Sequence, residues 1–479
     1  MKYFYCLFIL VGCQSYKPDL PELSIPSTWK ETLPLEQVSF SEKNRFWELF
    51  EDSILNELEE EAIAANFDLQ IAAYRILEAR ALVMKEKSLL LPHIDLNASA
   101  IQDETLLDPQ SFGSSNHVER VKQPQYSLIM PFSYELDLWG KLKDKEKGAR
   151  KRWEASQWEY EFIYQNLVTD VAAHYFSIRT LEEELGFLQK SIDVWKETVC
   201  LNESRVKAGL DPEVDLSRAK LELALVEVEF EKIKHQRIIQ ENALASLLAK
   251  PASCWQIPKG SFPKKVPSLP GVLPSQVLIN RADIQRSLAL VAAGRLDVNA
   301  ALKEYFPSFP LTATVGLVSP FLSEFFEWQA RYWGYTLNAV QSLFDGGKRK
   351  SFVLGAKARF FENFTNYQKT VNQAFQDVED ALSGLRYTSL QLEAQERACT
   401  ASRDTFYLAH EQYNTGLISY LLVADSENTS IQVERQTIVL RGQQVLAWIR
   451  LIKALGVERN GNALFSSFRN FAESIANEL

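Results

Sequence analysis

The chain has 479 residues, 46% of them hydrophobic and 24% charged, which are ordinary proportions for a folded protein. Its formal net charge of −10, with no basic patch interleaved with aromatics, argues against a nucleic-acid binder. The five cysteines (Cys6, Cys13, Cys200, Cys254, Cys399) form no CxxC pair and the five histidines no His-x3-His spacing, so neither a metal site nor a redox motif is read. Beyond the N-terminus no long unbroken apolar run suits a membrane-crossing helix, a result that leaves barrel strands open because these are short and only half apolar.

Residues 1–12 hold Lys2 and then an apolar run, Tyr3 to Val11, and resemble a secretory signal. Leu10-Val11-Gly12-Cys13 resembles a bacterial lipobox. That resemblance implies cleavage after the small Gly12 and a lipid on Cys13, which would hold the chain at a bilayer surface. Gln14, a non-aspartate, implies sorting to the outer membrane. The Pro-, Ser- and Glu-rich stretch that follows makes residues 13–44 an extended tether.

Residues 45–91 read as helix, with Ala62, Ala65, Leu69, Ala72 and Ile76 at three-and-four spacing and Pro92 as the stop. Ile94 to Ile101 alternates as a strand, and 103–123 reads as a loop. The next strand carries Tyr126, Leu128, Met130, Phe132, Tyr134, Leu136 and Leu138 on one face, with Ser127, Ser133, Glu135 and Asp137 on the other. An aromatic-rich apolar face backed by a polar one suits a transmembrane barrel strand; a soluble sheet with one face on a core alternates in the same way.

From Lys141 to about Lys207 no proline interrupts a helical tract that would be about 100 Å long. Gly209 breaks it. A second helix then runs to Lys250, with Pro212 near its first turn. In it Leu216, Ala219, Leu223, Val226, Phe230 and Ile233 follow a seven-residue repeat that predicts coiled-coil packing. Residues 251–274 are a proline-rich linker.

The plan then repeats. A helix at about 275–305 stops at Pro307. A strand follows with Phe309, Leu311, Ala313, Val315 and Leu317 on one face and Thr312 and Thr314 on the other, then a loop at about 319–328. A strand at 332–344 leads past Asp345, Gly346 and Gly347 into a helix to Thr415, Gly416 breaks it, and a last helix runs to Leu455. Trp139–Lys141 and Gly346–Lys348 are 207 positions apart, and so are Gly209 and Gly416. One offset at two landmarks argues for duplication. The organisation is thus 1–12 signal, 13–44 tether, 45–250 first repeat, 251–274 linker, 275–456 second repeat and 457–479 tail.

The fold class expected is mixed α and β, with four strands per chain and two long helical hairpins. Four strands cannot close a barrel, and lipid tolerates no open edge, so other copies must complete it. A trimer would supply twelve strands and set the hairpins into an α-barrel. Gly140, Gly346 and Gly347 would permit the strand-to-helix turns, and Gly209 and Gly416 positive φ at the breaks. Asp345-Gly-Gly-Lys348 lacks phosphate-loop spacing, and no catalytic triad or metal cluster is read, so the chain is taken as a non-enzyme without cofactor apart from the lipid on Cys13.

Several short segments carry a family resemblance: Phe46-Trp-Glu-Leu-Phe-Glu-Asp-Ser-Ile-Leu55, Asn66-Phe-Asp-Leu69 with Ala79-Arg80, Tyr134-Glu-Leu-Asp-Leu-Trp-Gly-Lys141, and Gly271-Val-Leu-Pro-Ser275 with Arg281-Ala-Asp-Ile284. To these are added Tyr305-Phe-Pro307, Leu343-Phe-Asp-Gly-Gly-Lys348, Tyr413-Asn-Thr-Gly-Leu-Ile-Ser-Tyr-Leu421 and Lys453-Ala-Leu-Gly456. In this order, over about residues 13–456, the chain resembles the TolC-like outer-membrane factors, in their lipoprotein branch. The resemblance implies a homotrimeric exit duct in the outer membrane, served by a periplasmic adaptor protein and an inner-membrane pump of the RND type. It implies that the two breaks form the periplasmic entrance, with Gly209, Leu210, Tyr413, Gly416, Leu417 and Ser419 meeting the adaptor. Asp425 matches an acidic pore constriction, and Asp215, in like register in the first half, is a second candidate against a solvated helix face. Leu422 and Ile418 depart from the family pattern, where some members carry an acid and an arginine. Two other readings compete: a coiled-coil envelope lipoprotein that conducts nothing, and a type I secretion duct of the same fold. The cargo is not read; the only methionines, Met1, Met84 and Met130, speak against a soft-metal relay.

Overall fold

The computed structural model describes residues 45–107, 119–210, 212–263 and 281–456, with Tyr16, Pro18, Trp29, Lys30, Pro267 and Leu278. The expected signal, Cys13, most of the tether, the Gly271–Ser275 motif and the tail lie outside the described residues. The chain packs as two compact units, and both repeats contribute to each. Unit one takes residues 1–22, 76–155 and 287–367; unit two takes 23–75, 156–286 and 368–479.

Unit one is built on an antiparallel sheet. Its segments are β1 (His93–Ile94), β2 (Asn97–Leu107), β3 (Glu119–Glu135), β4 (Pro310–Ser319) and β5 (Arg331–Leu337). β3 pairs with β1 and β2 on one side and β4 on the other, and β4 pairs with β5. The sequence suggests four strands, and five segments lie on four paths. β1 and β2 continue one another in a single register along β3, Ile94 opposite Phe132 and Asn97 opposite Ile129. The gap falls opposite Pro131, which accepts from Asp95 N–H at 3.1 Å but has no N–H to return. The expected loop at 103–123 is shorter, because the β2–β3 ladder runs out to Leu107 opposite Glu119. Polar side chains there hide strand character, which the backbone ladder supplies by itself. β5 stops at Leu337 rather than 344. Pro310 cannot donate to Asn338, and pairing resumes only as a bridge between Ser308 and Val340.

Cross-strand register aligns the faces. Met130 lies opposite Val315 and that opposite Trp333; Phe132, Ala313 and Tyr335 form the next row, and Tyr134, Leu311 and Leu337 the one after. On the other face Ser127 stands opposite Ser99, hydroxyl to hydroxyl at 2.7 Å, and Ser133 opposite Thr312 and Thr336. The apolar face is bare: Trp333 is 74% and Tyr335 75% exposed. The outer paths, β1/β2 and β5, each have one partner among the described residues.

The sheet meets its helices through two related turns. Gly140 (φ 72°) precedes α3 (Lys141–Lys207), and Gly346 (φ 62°) and Gly347 (φ 93°) precede α6 (Lys348–Asn414), conformations that L side chains rarely adopt. Asp137 accepts from Lys143 N–H at 2.9 Å, and Asp345 from Gly347 and Arg349 N–H at 3.0 and 3.1 Å. Trp139 stacks on Phe306 at 5.0 Å and donates to the Pro307 carbonyl at 2.7 Å. Lys303, at the end of α5 (Ala282–Lys303), bonds the Gly140 carbonyl and Asp144.

Unit two corrects the first helix. The 45–91 tract is a 3-10 turn at Phe46–Phe50, then α1 (Ser53–Ala65) and α2 (Phe67–Ser88). Asp52 caps α1 through Ile54 and Leu55 N–H, and Asn66 caps α2 through Asp68 and Leu69 N–H. A side chain that caps so well ends the helix within an apolar run. α5 likewise starts at 282 rather than 275. Arg281 before it is pinned to the Ala454 carbonyl, Asp283 and Asp377. α3 and α6 are both 67 residues long, and α4 (Glu213–Leu247) and α7 (Tyr420–Leu455) have 35 and 36. Of the seven-residue repeat on α4, Ala219 and Ile233 are buried and the other four half-buried. Among the described residues no helix is long and apolar enough to cross a membrane.

Candidate functional site

The two helix breaks are made alike. At the end of α3, Gly209 N–H bonds the Val206 carbonyl and Leu210 N–H the Arg205 carbonyl, both at 2.9 Å. At the end of α6, Gly416 N–H bonds Tyr413 and Leu417 N–H bonds Gln412, again at 2.9 Å. Each is a Schellman cap, with Gly209 (φ 71°) and Gly416 (φ 76°) in the left-handed position that spares a Cβ clash. The next helices start at equivalent places, after Pro212 and Ser419. Ser419 makes no side-chain cap.

The residues proposed from the sequence divide into two sets. Leu210 and Leu417 are 69% and 75% exposed, large apolar side chains at the ends of the hairpins. Gly209, Gly416 and Ser419 are exposed with them, as is Asp425 one turn into α7. Tyr413 and Asp215 are half-buried and turn inward. The Tyr413 ring meets Tyr420 at 5.8 Å and lies under the Arg205 guanidinium at 5.9 Å. Asp215 is close enough to Tyr420 to help raise its pKa. The two candidate acids therefore differ: Asp425 faces solvent in the single chain, and Asp215 belongs to the packing behind it.

The hairpin ends are held together by residues that no sequence motif marks. Trp195 of α3, Tyr420 and Ala424 of α7 form a buried cluster, with Leu223 and Val226 of α4, Tyr413 of α6 and Ile431 of α7 packed on it. Burial drives the Tyr420 phenol up to about 12, and Asn202, buried on α3, lies near it. Glu427 sits on the same stripe of α7. It is 8% exposed, and burial pushes its carboxyl up to about 7. A glutamate in an apolar seven-residue seam is the signal that would have found it, once the frame of α7 is set by Tyr420, Ala424 and Ile431. Among the described residues no group of acidic, histidine or cysteine side chains could hold a metal.

A sheet with an exposed apolar face, and two long hairpins with like breaks, are features that suit a membrane channel. The chain belongs to the outer membrane efflux protein family, whose model matches residues 58–250 and 273–457. Outer membrane and efflux are therefore its place and its class of work. It is 26% identical over 470 residues to the probable efflux pump outer membrane protein TtgC of Pseudomonas putida, covering 95% of each chain. It is 26% identical over 458 residues to the probable outer membrane lipoprotein SilC of Salmonella typhimurium, covering 94% of this chain and 96% of that one. Its fold matches the Campylobacter jejuni CmeC outer membrane channel with a TM-score of 0.87 at 22% identity, over 96% of this chain and 98% of that one.

Proposed function

We infer that three copies assemble into the passive exit duct of a tripartite efflux system, with an inner-membrane pump and a periplasmic adaptor as partners. The observation that carries this reading is the sheet: two outer paths with one partner each among the described residues, beneath a face of exposed Met130, Val315, Trp333, Tyr335 and Leu337. In lipid such edges leave N–H and C=O groups with nothing to bond, so further copies must close them. Exposed Val214, Leu221, Leu225 and Val228 follow a second seven-residue stripe on α4, which a neighbouring copy would cover. The exposed ends Leu210 and Leu417 suit an adaptor's apolar contact. Asp425 suits the lumen, where three carboxylates around one axis would favour cations. The duct needs no catalytic residue, and its cofactor is limited to the lipid on Cys13. The test is to purify the protein in detergent, measure its oligomeric state and record single-channel conductance in a planar bilayer. A trimer with a small gated conductance is expected. A monomer without conductance would overturn the reading in favour of a structural coiled-coil lipoprotein.

A further inference from the structure

We propose that Glu427 is a protonation-dependent latch on the hairpin ends: as the neutral acid it lets α7 seat in the apolar seam, and as the carboxylate it loosens that seam. The proposal rests on the duct reading only in calling those ends an entrance. Its basis is position. Tyr420, Ala424, Glu427 and Ile431 follow one another at four-, three- and four-residue steps, the spacing of a seam facing other helices. Tyr420, Ala424 and Ile431 pack with Trp195, Leu223, Val226 and Tyr413 from the three other long helices. Glu427 therefore occupies a seam position that an apolar residue would ordinarily fill. It is already buried within one chain, so assembly of further copies does not expose it.

Its surroundings supply no counter-charge. On α7 the titratable neighbour coupled to it is the Tyr420 phenol. Around the cluster, Arg205 of α3 lies over the Tyr413 ring of α6, and Asp215 of α4 acts on Tyr420; farther along the same helices Glu184 and Glu229 are paired with Arg435, and Arg403 with Glu434. Among the described residues no ion pair includes Glu427, and burial alone raises its pKa. A carboxyl held neutral by burial makes the packed state the one that binds the proton. The sign follows: raising the pH favours any state in which Glu427 reaches water. The equilibrium shifts by up to about tenfold for each pH unit between the ordinary glutamate value, 4.5, and about 7, and levels off above that. Asp425, two residues away, is exposed and outside this seam.

The experiment is hydrogen exchange by mass spectrometry on the detergent-purified full chain from pH 5.5 to 8.5, corrected for intrinsic exchange, with bilayer conductance in parallel. Peptides covering 195–208 and 413–431 are expected to lose protection progressively as pH rises from 5.5 to about 7, and to level off above it. Glu427→Gln, close in shape and unable to ionise, should keep the protection of the low-pH wild type throughout. Glu427→Leu should do the same and serves where the amide itself disturbs packing. Asp425→Asn should retain the pH response. A pH response that survives in both Glu427 variants, or a wild type with none, overturns the latch. Absent conductance with the response intact would sink the duct and leave the latch standing.

Discussion

Gly442 sets helix propensity against packing, and packing should prevail. It lies inside α7, where alanine is normally favoured by about 1 kcal/mol. A Cβ placed there would meet Thr180 Cγ2 and Oγ1, and would lie 2.9 Å from Thr180 Cβ. Thr180 cannot swing aside cheaply. Its hydroxyl bonds the Phe176 carbonyl at 2.8 Å, and Phe176, Ile178 and Arg179 around it on α3 are buried. Overpacking of this kind costs about 1–3 kcal/mol, and the upper half of that range applies where the neighbour is held. Gly442→Ala should therefore destabilise by a net of about 1–2 kcal/mol after the propensity gain. Gly384, inside α6 with nothing within 4 Å of its would-be Cβ, is the control, and Gly384→Ala should stabilise by about 0.5–1 kcal/mol. Circular-dichroism melts of both variants in one detergent at one scan rate would read the gap as midpoints moving in opposite directions. Thr180→Ala should absorb part of the Gly442→Ala cost, a coupling that a double-mutant cycle detects. Two glycine variants with equal stabilisation would refute the reasoning.

Other outcomes can be checked alongside. Arg179→Met removes a buried guanidinium that bonds Glu182 and the Pro258 carbonyl at 2.7 Å each and lies over Tyr175; because Glu182 keeps Arg237, the loss in stability should be about 2–3 kcal/mol rather than the larger cost of an orphaned charge. Asn66→Ala should cost about 1 kcal/mol and increase hydrogen exchange at the start of α2, where its cap is lost. Asp345 is held below the usual carboxylate range, chiefly by the Arg349 guanidinium, so its contribution to the strand-to-helix turn is present above that range and lost as pH falls through its lowered pKa; Asp345→Asn should abolish that acid-side step in protection of residues 345–352. Asp425→Ala should raise single-channel conductance, and an unchanged conductance would remove Asp425 from the constriction.

Proline and glycine made much of this fold legible. The ends of α3 and α6 are legible from Gly140, Gly209, Gly346, Gly347 and Gly416 because glycine acts locally, through its freedom in φ. The alternation of β3 and β4 is legible because successive side chains of a strand point to opposite faces, which is also a local property. Asn66 was not read as a boundary: its neighbours keep the helical period, and only its carbonyl oxygen, reaching Asp68 and Leu69 N–H, ends the helix. The outer part of the β2–β3 hairpin was hidden because its side chains are polar, and cross-strand bonding does not depend on them. The site was legible where a motif marked it, at Tyr413 to Ser419. Glu427 was not, since a lone glutamate on a helix reads as solvated until Trp195 of α3 buries Tyr420 and Ala424 on the same stripe of α7.

The equal lengths of α3 and α6 constrain how such a chain can change over generations. One added residue would rotate everything beyond it by about 100° and advance the break by about 1.5 Å. It would also turn the seam of Leu223, Val226 and Tyr420 out of register. A lone insertion or deletion in any of the four long helices is therefore disfavoured. Lengthening can proceed by seven residues, matched on both legs of a hairpin and again in the other repeat, so the two halves are free to diverge in sequence but not in span.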